Sequence, residues 1–209
     1  MGSTCSANYH ICSSQILFQI IENYCTKDVN SYLIDINKTV DMLIFAPTSY
    51  KTFESAMMEL GLLLGWGARR PDDECGIGPD VLWYMGDLQY AVIECKNEAT
   101  SEKISKNYCG QLLSSVSWFN TQYPSDSTAI PIMVYHTNRF DVHASPAEDF
   151  RILDNERLTL LKRRIKDFGV AVSADGAFKN PKVLSQLLVS HNLTRELFFD
   201  TYTTGYVVE

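Results

Sequence analysis

Apolar side chains recur at helical spacing in several stretches of this chain, and between those stretches they gather in short runs of strand length. In residues 14–27, Ile16, Leu17, Ile20, Ile21 and Tyr24 fall on one face and predict an amphipathic helix. Residues 31–47 alternate only in part, through Leu33, Ile36, Val40, Met42 and Ile44, and fit a strand, a wrapping arm or a short helix. Thr48 or Ser49 then offers a cap. Phe53, Ala56, Met57, Leu60, Leu63 and Leu64 repeat on one face until Gly65-Trp66-Gly67 ends the pattern, which predicts a second helix.

A loop rich in Asp, Gly and Pro over 71–79 leads to two short apolar runs, 80–85 and 89–96, with Gly86-Asp87 between them as a hairpin turn. The spacing of Ile104, Tyr108, Leu112, Val116 and Phe119 predicts a helix over 101–123, and the β-branched run 129–135 predicts a strand. Residues 154–168 read as a basic-faced helix, 169–172 as a short strand, and Asn180-Pro181 as a helix start with proline just inside it. This order predicts an α/β sandwich around a mixed sheet. We expect one domain over 1–209: an N-terminal helix and arm over about 10–47, a core over about 48–137 and a C-terminal extension over about 138–209.

Composition narrows the classes. A chain of 209 residues that is 45% hydrophobic can bury a core. No apolar run approaches the roughly 20 residues that cross a bilayer, and the first residues lack a basic-then-apolar secretion pattern, so a cytoplasmic protein without membrane contact is expected. The six cysteines form no C-x-x-C pair, and reduced thiols are expected rather than disulfides or zinc. His10, His136, His143 and His191 show no metal-ligand spacing. Trp66, Trp83 and Trp118 are expected in the core or at its rim, where an exposed ring would offer a stacking face. The net charge of −7 argues against tight autonomous binding of DNA, yet acidic clusters are what hold divalent cations.

The chemistry lies in the second apolar run. Alternation along a strand sends Glu94 and Lys96 to one side while Ile93 and Cys95 point to the other. If the hairpin connection takes three residues, 86–88, Met85 faces Gln89 and Asp80 falls opposite Glu94. A strict two-residue turn would set Asp80 opposite Ile93 instead. In the first arrangement two carboxylates repel, and a divalent cation between them removes the repulsion. The plainer readings are a turn residue at Asp80 and a solvated Glu94–Lys96 pair on an edge strand.

Gly-Pro-Asp-Val-Leu-Trp at 78–83, followed by Val-Ile-Glu-Cys-Lys at 92–96, resembles the core motif of the PD-(D/E)xK, or restriction-endonuclease-like, nuclease superfamily. Within it the chain is similar to bacterial nuclease domains fused to or found beside helicases. The likeness runs over about 53–135, with its specific part between Gly78 and Lys96. It implies a restriction-endonuclease-like α/β/α sandwich and a Mg2+-dependent (or Mn2+-dependent) deoxyribonuclease, endo or exo. Asp80 and Glu94 would hold the cation, with the Cys95 carbonyl as a further ligand, and Lys96 would orient or help deprotonate the attacking water and stabilise the transition state.

Phe53-Glu54 matches the helix that supplies another carboxylate in this superfamily. Glu59 competes on the same helix, and acids favour a first helical turn whatever their function. Gln111 matches a glutamine that completes the site in some branches, although Ser115 stands where those branches carry tyrosine. Arg69, Arg70, Lys103 and Lys106 flank the motif as candidate phosphate contacts. The rival readings are a catalytically silent nucleic-acid-binding or scaffold module of a helicase-type assembly, and an RNA-directed nuclease of the same fold. A second copy of the chain as partner is left open.

Overall fold

In the stretch whose pattern fitted three structures, Tyr32, Ile36, Val40 and Leu43 are all buried, and their spacing of four, four and three residues is that of a helix. The computed structural model describes residues 29–47 and 50–209, and in it Val29–Met42 is helix α1. The helix expected over 14–27 lies outside the described residues. Helix α2, Tyr50–Leu63, buries Phe53, Ala56, Met57 and Leu60 and lies on the sheet through Gly61. A Cβ at Gly61 would stand 2.6 Å from Trp83 Nε1, which itself donates to the Met57 carbonyl at 3.0 Å.

Five strands form one mixed sheet in the order β1 (Gly67–Arg69), β2 (Val81–Tyr84), β3 (Gln89–Cys95), β4 (Thr128–Val134) and β6 (Arg151–Leu153). β1–β2 and β2–β3 are antiparallel; β3–β4 and β4–β6 are parallel. β1 and β6 are three residues long, too short to carry a periodic signal, and no pattern in the sequence marked them. A second, two-stranded sheet joins β5 (Arg139–Phe140) to β7 (Val207–Val208).

The β2–β3 connection is the three-residue one. Gly86, Asp87 and Leu88 all have positive φ, at 94°, 49° and 58°, and Met85 N donates to Gln89 O at 2.9 Å. Val81 pairs with Ile93 and Tyr84 with Tyr90. Between α2 and this hairpin lies a short helix, α3 (Pro71–Cys75), which opens on its proline.

After β3 the chain forms α4, Lys106–Gln122, five residues later than its apolar spacing predicts. Ser105 caps it by accepting from Tyr108 N at 3.2 Å, and Ile104 is held outside the helix by donating its N–H to Arg139 O at 2.7 Å. Helix α5, Asn155–Ser173, absorbs the strand expected over 169–172. The buried stripe Leu158, Leu161, Ile165, Phe168 and Val172 continues the helical period, and Gly169 allows a close helix crossing rather than starting a strand. A Cβ there would stand 2.8 Å from Ile36 Cδ1 of α1. Helices α6 (Pro181–Ser190) and α7 (Arg195–Tyr202) complete that side, α6 capped by Asn180, whose side chain accepts from Lys182 N and Val183 N.

Each face of the sheet is covered. Val81, Trp83, Ala91, Ile93, Cys95, Ile132 and Val134 pack with α1, α2, α5, α6 and α7, while Leu82, Tyr84, Tyr90, Val92, Met133 and Tyr135 pack with Cys109, Leu112 and Phe119 of α4. The fold is thus α/β, a mixed five-stranded sheet flanked by helices. Among the described residues no helix is long and apolar enough to cross a membrane.

One expectation about cysteine is corrected. Cys75 is disulfide-bonded, whereas Cys95 and Cys109 are free and buried. Cys75 is exposed at the end of α3, where a second sulfur can reach it, and spacing along the chain carries no information about which thiols meet.

Candidate active site

Even-numbered residues of β2 and β3 face α4, so the face that carries Tyr90 and Val92 carries Glu94 next. Position 80 lies one step beyond Val81 and, in the same register, opposite Glu94. Lys96 Nζ reaches both acids, at 2.8 Å from Glu94 Oε2 and 3.3 Å from Asp80 Oδ2. Two carboxylates and one ammonium group, separated in the chain by a hairpin, therefore meet on one side of the sheet.

Asp80 is tied to the sheet by its side chain. The Met85–Gln89 bond makes alternate pairs hydrogen-bonded, which places the Pro79 carbonyl where Cys95 N would find its ladder acceptor. Pro79 O instead accepts from Asp72 N at 3.3 Å, and Cys95 N donates to Asp80 Oδ2 at 2.7 Å. The backbone thus orients the carboxylate directly.

Glu94 is 4% exposed. Its Oε2 accepts from Lys96, and its Oε1 accepts from the buried Ser115 hydroxyl of α4 at 2.6 Å. Burial raises the Glu94 carboxyl pKa, the Asp80 charge adds to the rise, and Lys96 and Ser115 oppose it. Burial would lower the Lys96 pKa, but the charges of Glu94 and Asp80 outweigh it and leave the ammonium more strongly held than usual. The Tyr108 ring lies 5.8 Å below the same Nζ.

Of the two candidate helix acids, Glu54 is buried and Glu59 exposed. Glu54 pairs with the Arg70 guanidinium and feels the charges of Asp80 and Lys96. Burial, followed by Asp80, raises its carboxyl to about 7 despite Arg70. Arg70 is 8% exposed and directed inward, also bonding Ser55 Oγ at 3.2 Å, so it presents no free face to a phosphate. Arg69 is held by Glu74, its Nε 3.0 Å from Oε2. Lys103 donates to the Glu209 carbonyl oxygen at 2.9 Å.

Asp80, Glu94 and Lys96 form one wall of a cleft of about 1010 Å³. Gln111 and Lys106 line it, whereas Glu54, Cys95, Arg69, Arg70 and Lys103 do not. The other lining groups include Asp72, Ile77, Asn107, Ser114 and Trp118, along with Ser115. Ser115 went unmarked in the sequence because a tyrosine was the residue sought there. The signal that would have found it is its place on the buried stripe of α4, three residues after Leu112, where a hydroxyl among apolar side chains needs a polar partner. Among the described residues no group of three or more His, Cys, Asp and Glu side chains is gathered for a metal ion.

Comparison with protein-family models, with curated proteins and with solved structures finds no match to this chain.

Proposed function

We propose that this chain is a metal-dependent nuclease of the PD-(D/E)xK type, with a restriction-endonuclease-like fold, that hydrolyses phosphodiester bonds of DNA. The observation that carries the reading is the meeting of Asp80 and Glu94 at Lys96 Nζ, at the end of β3 and in the wall of an open cleft. Anionic oxygen donors of this kind suit Mg2+ or Mn2+. Asp80 and Glu94 would hold the cation, with Glu54 and the Cys95 carbonyl as further ligands. A divalent ion bound there supplies charge stabilisation at phosphate and acidifies a water.

The chain's own groups have distinct work. Lys96, kept protonated by two acids, donates hydrogen bonds to a phosphate oxygen or to the attacking water and stabilises developing negative charge. It becomes a base only where its carboxylate partners are otherwise neutralised. Ser115 holds one oxygen of Glu94 while the other meets Lys96. Gln111 stands in the cleft wall as a neutral donor and acceptor for substrate or water.

A second reading, a silent nucleic-acid-binding module of a helicase-type assembly, gains support from how few cations are free. Arg69 and Arg70 are engaged within the chain, which leaves Lys106 as the cleft cation with no ion pair among the described residues. In that assembly the partner would supply the remaining positive charge. Labelled single- and double-stranded DNA and RNA, incubated with Mg2+, with Mn2+ and with chelator, separate the readings. Metal-dependent cleavage of DNA is expected, reduced at least about hundredfold in Asp80→Asn and in Lys96→Ala. RNA as the sole substrate would assign the site to the RNA-directed alternative. Silence on every substrate, or retained activity in either variant, overturns the nuclease mechanism.

A further inference from the structure

Helix α4 is two-faced. Its inner stripe, Cys109, Leu112, Ser115 and Phe119, closes on the sheet. Its outer stripe, Lys106, Asn107, Gly110, Gln111, Ser114 and Trp118, runs along the cleft beside Asp80, Glu94 and Lys96. From Asn107 to Trp118 this stripe is about 16 Å long at 1.5 Å per residue, enough to follow a strand past the carboxylates rather than to receive a single small group. A Cβ added at Gly110 would meet nothing within 4 Å, which leaves the helix surface open to close approach there.

The chemistry of the stripe is unusual for a surface that meets phosphates. Lys106 is its only charged member; the others offer amides, a hydroxyl, bare backbone and an indole. Asp72 also lines the cleft, so its described residues hold three carboxylates (Asp72, Asp80 and Glu94) against two ammonium groups (Lys96 and Lys106). Binding of duplex DNA depends on neutralising many phosphates along two strands, and this cleft has little with which to do so. Single strands also draw on positive charge along their backbone, but they add what a duplex cannot, stacking of unpaired bases on aromatic rings.

Trp118 supplies the ring. Trp66 and Trp83 are buried, at 3% and 1% exposure, whereas Trp118 is half-buried and opens on the cleft. Gly78 packs against it: a Cβ there would stand 3.0 Å from the ring carbons, so no side chain but hydrogen fits between loop and indole. Ile77, 58% exposed and next in the chain to Gly78, lines the same cleft.

We infer that the cleft selects single-stranded DNA, with an unpaired base stacked on Trp118 against Ile77 while its strand follows the outer stripe of α4 to Asp80, Glu94 and Lys96. This rests on the nuclease reading for what the ligand is.

The test is direct binding in chelator, without cleavage, of a thymidine dodecanucleotide and of a duplex of equal length. Because Trp66 and Trp83 are buried, quenching of intrinsic fluorescence reports Trp118. The single strand is expected to quench and to bind at least about tenfold more tightly than the duplex, with a salt slope of only about one. Trp118→Ala should lose the quenching and about tenfold in affinity, and Trp118→Phe should keep most of the affinity. Ile77→Asp, at an exposed position that does not bear on folding, should also weaken the single strand. Equal or tighter duplex binding, or wild-type affinity in Trp118→Ala and Ile77→Asp, overturns the inference. Metal-dependent cleavage confined to duplex would overturn it while leaving the nuclease reading standing. Quenching and tight single-strand binding without cleavage in any metal would support it while removing the nuclease reading.

Discussion

Ser115 donates its hydroxyl hydrogen to Glu94 Oε1 at 2.6 Å, from a helix that enters the chain only after β3 has ended. The hydroxyl has one hydrogen and is buried, so this bond uses its whole donor capacity. Lys96 holds the other oxygen of the same carboxylate. One acid is thereby fixed by its own strand on one side and by a packed helix on the other.

Ser115→Ala removes the helix-side restraint on Glu94 and leaves Asp80, Glu94 and Lys96 themselves unchanged. The Mg2+ concentration for half-maximal cleavage is expected to rise about tenfold or more, with kcat at saturating metal changed much less. Mn2+ affinity measured by electron paramagnetic resonance should shift in parallel, and Ser115→Thr, which keeps the hydroxyl, should recover most of both. Unchanged metal affinity in the alanine variant would refute a positioning role.

Lys96→Ala leaves two carboxylates beside each other with no counter-charge. Breaking such a pair costs about 3–5 kcal/mol, and for a chain of this size that lowers the metal-free melting temperature by roughly 10 °C. A Mg2+ ion bound as proposed would take over the lost positive charge, so its addition should raise the melting temperature of the variant more than that of the parent. Equal responses to Mg2+ in differential scanning calorimetry would mean that no cation sits between the acids.

The Glu54 carboxyl, raised to about 7, sets a pH dependence. Below that value it carries a proton, and a cation must displace the proton to be bound. Mn2+ affinity therefore increases with pH, by up to about tenfold per unit where one proton leaves per cation, and levels off above about 7. Glu54→Gln is expected to flatten this slope in titrations across the range. The same slope in both proteins would remove Glu54 from the ligand set.

Gly61→Ala tests how α2 meets the sheet. In an exposed helix the change stabilises by about 1 kcal/mol. Here the new methyl group would stand 2.6 Å from Trp83 Nε1, and overpacking of that kind costs about 1–3 kcal/mol, so the clash wins and the melting temperature falls by several degrees. A rise in thermal stability would show that Trp83 yields readily.

The parts of this molecule that were legible in the sequence are those written in a local period. Alternation put Glu94 and Lys96 on one side of their strand, but the turn length stayed open between two and three residues, and the three-residue connection 86–88 places Asp80 opposite Glu94. Helix α2, strand β4 and the Asn180 cap were likewise local. Gly169 misled because a glycine that ends a pattern and a glycine that lets two helices touch look alike until α1 is in place. Arg70 misled because its charge was visible and its buried partner was not. Ser115 and Trp118 were legible as residues but not as neighbours of the site, since the curl of a helix against a sheet edge is a long-range fact.

Asp80 does two jobs at one oxygen: Oδ2 takes the Cys95 amide that the Pro79 carbonyl leaves unmet, and it meets Lys96 Nζ at 3.3 Å. Alanine at that position would orphan a main-chain donor and confound lost chemistry with a frayed hairpin, whereas asparagine retains an acceptor of the same shape. The end of the hairpin is thus sealed by the same carboxylate that meets Lys96, and a protein with its second strand unzipped by one rung would lose the Asp80–Glu94–Lys96 cluster with it.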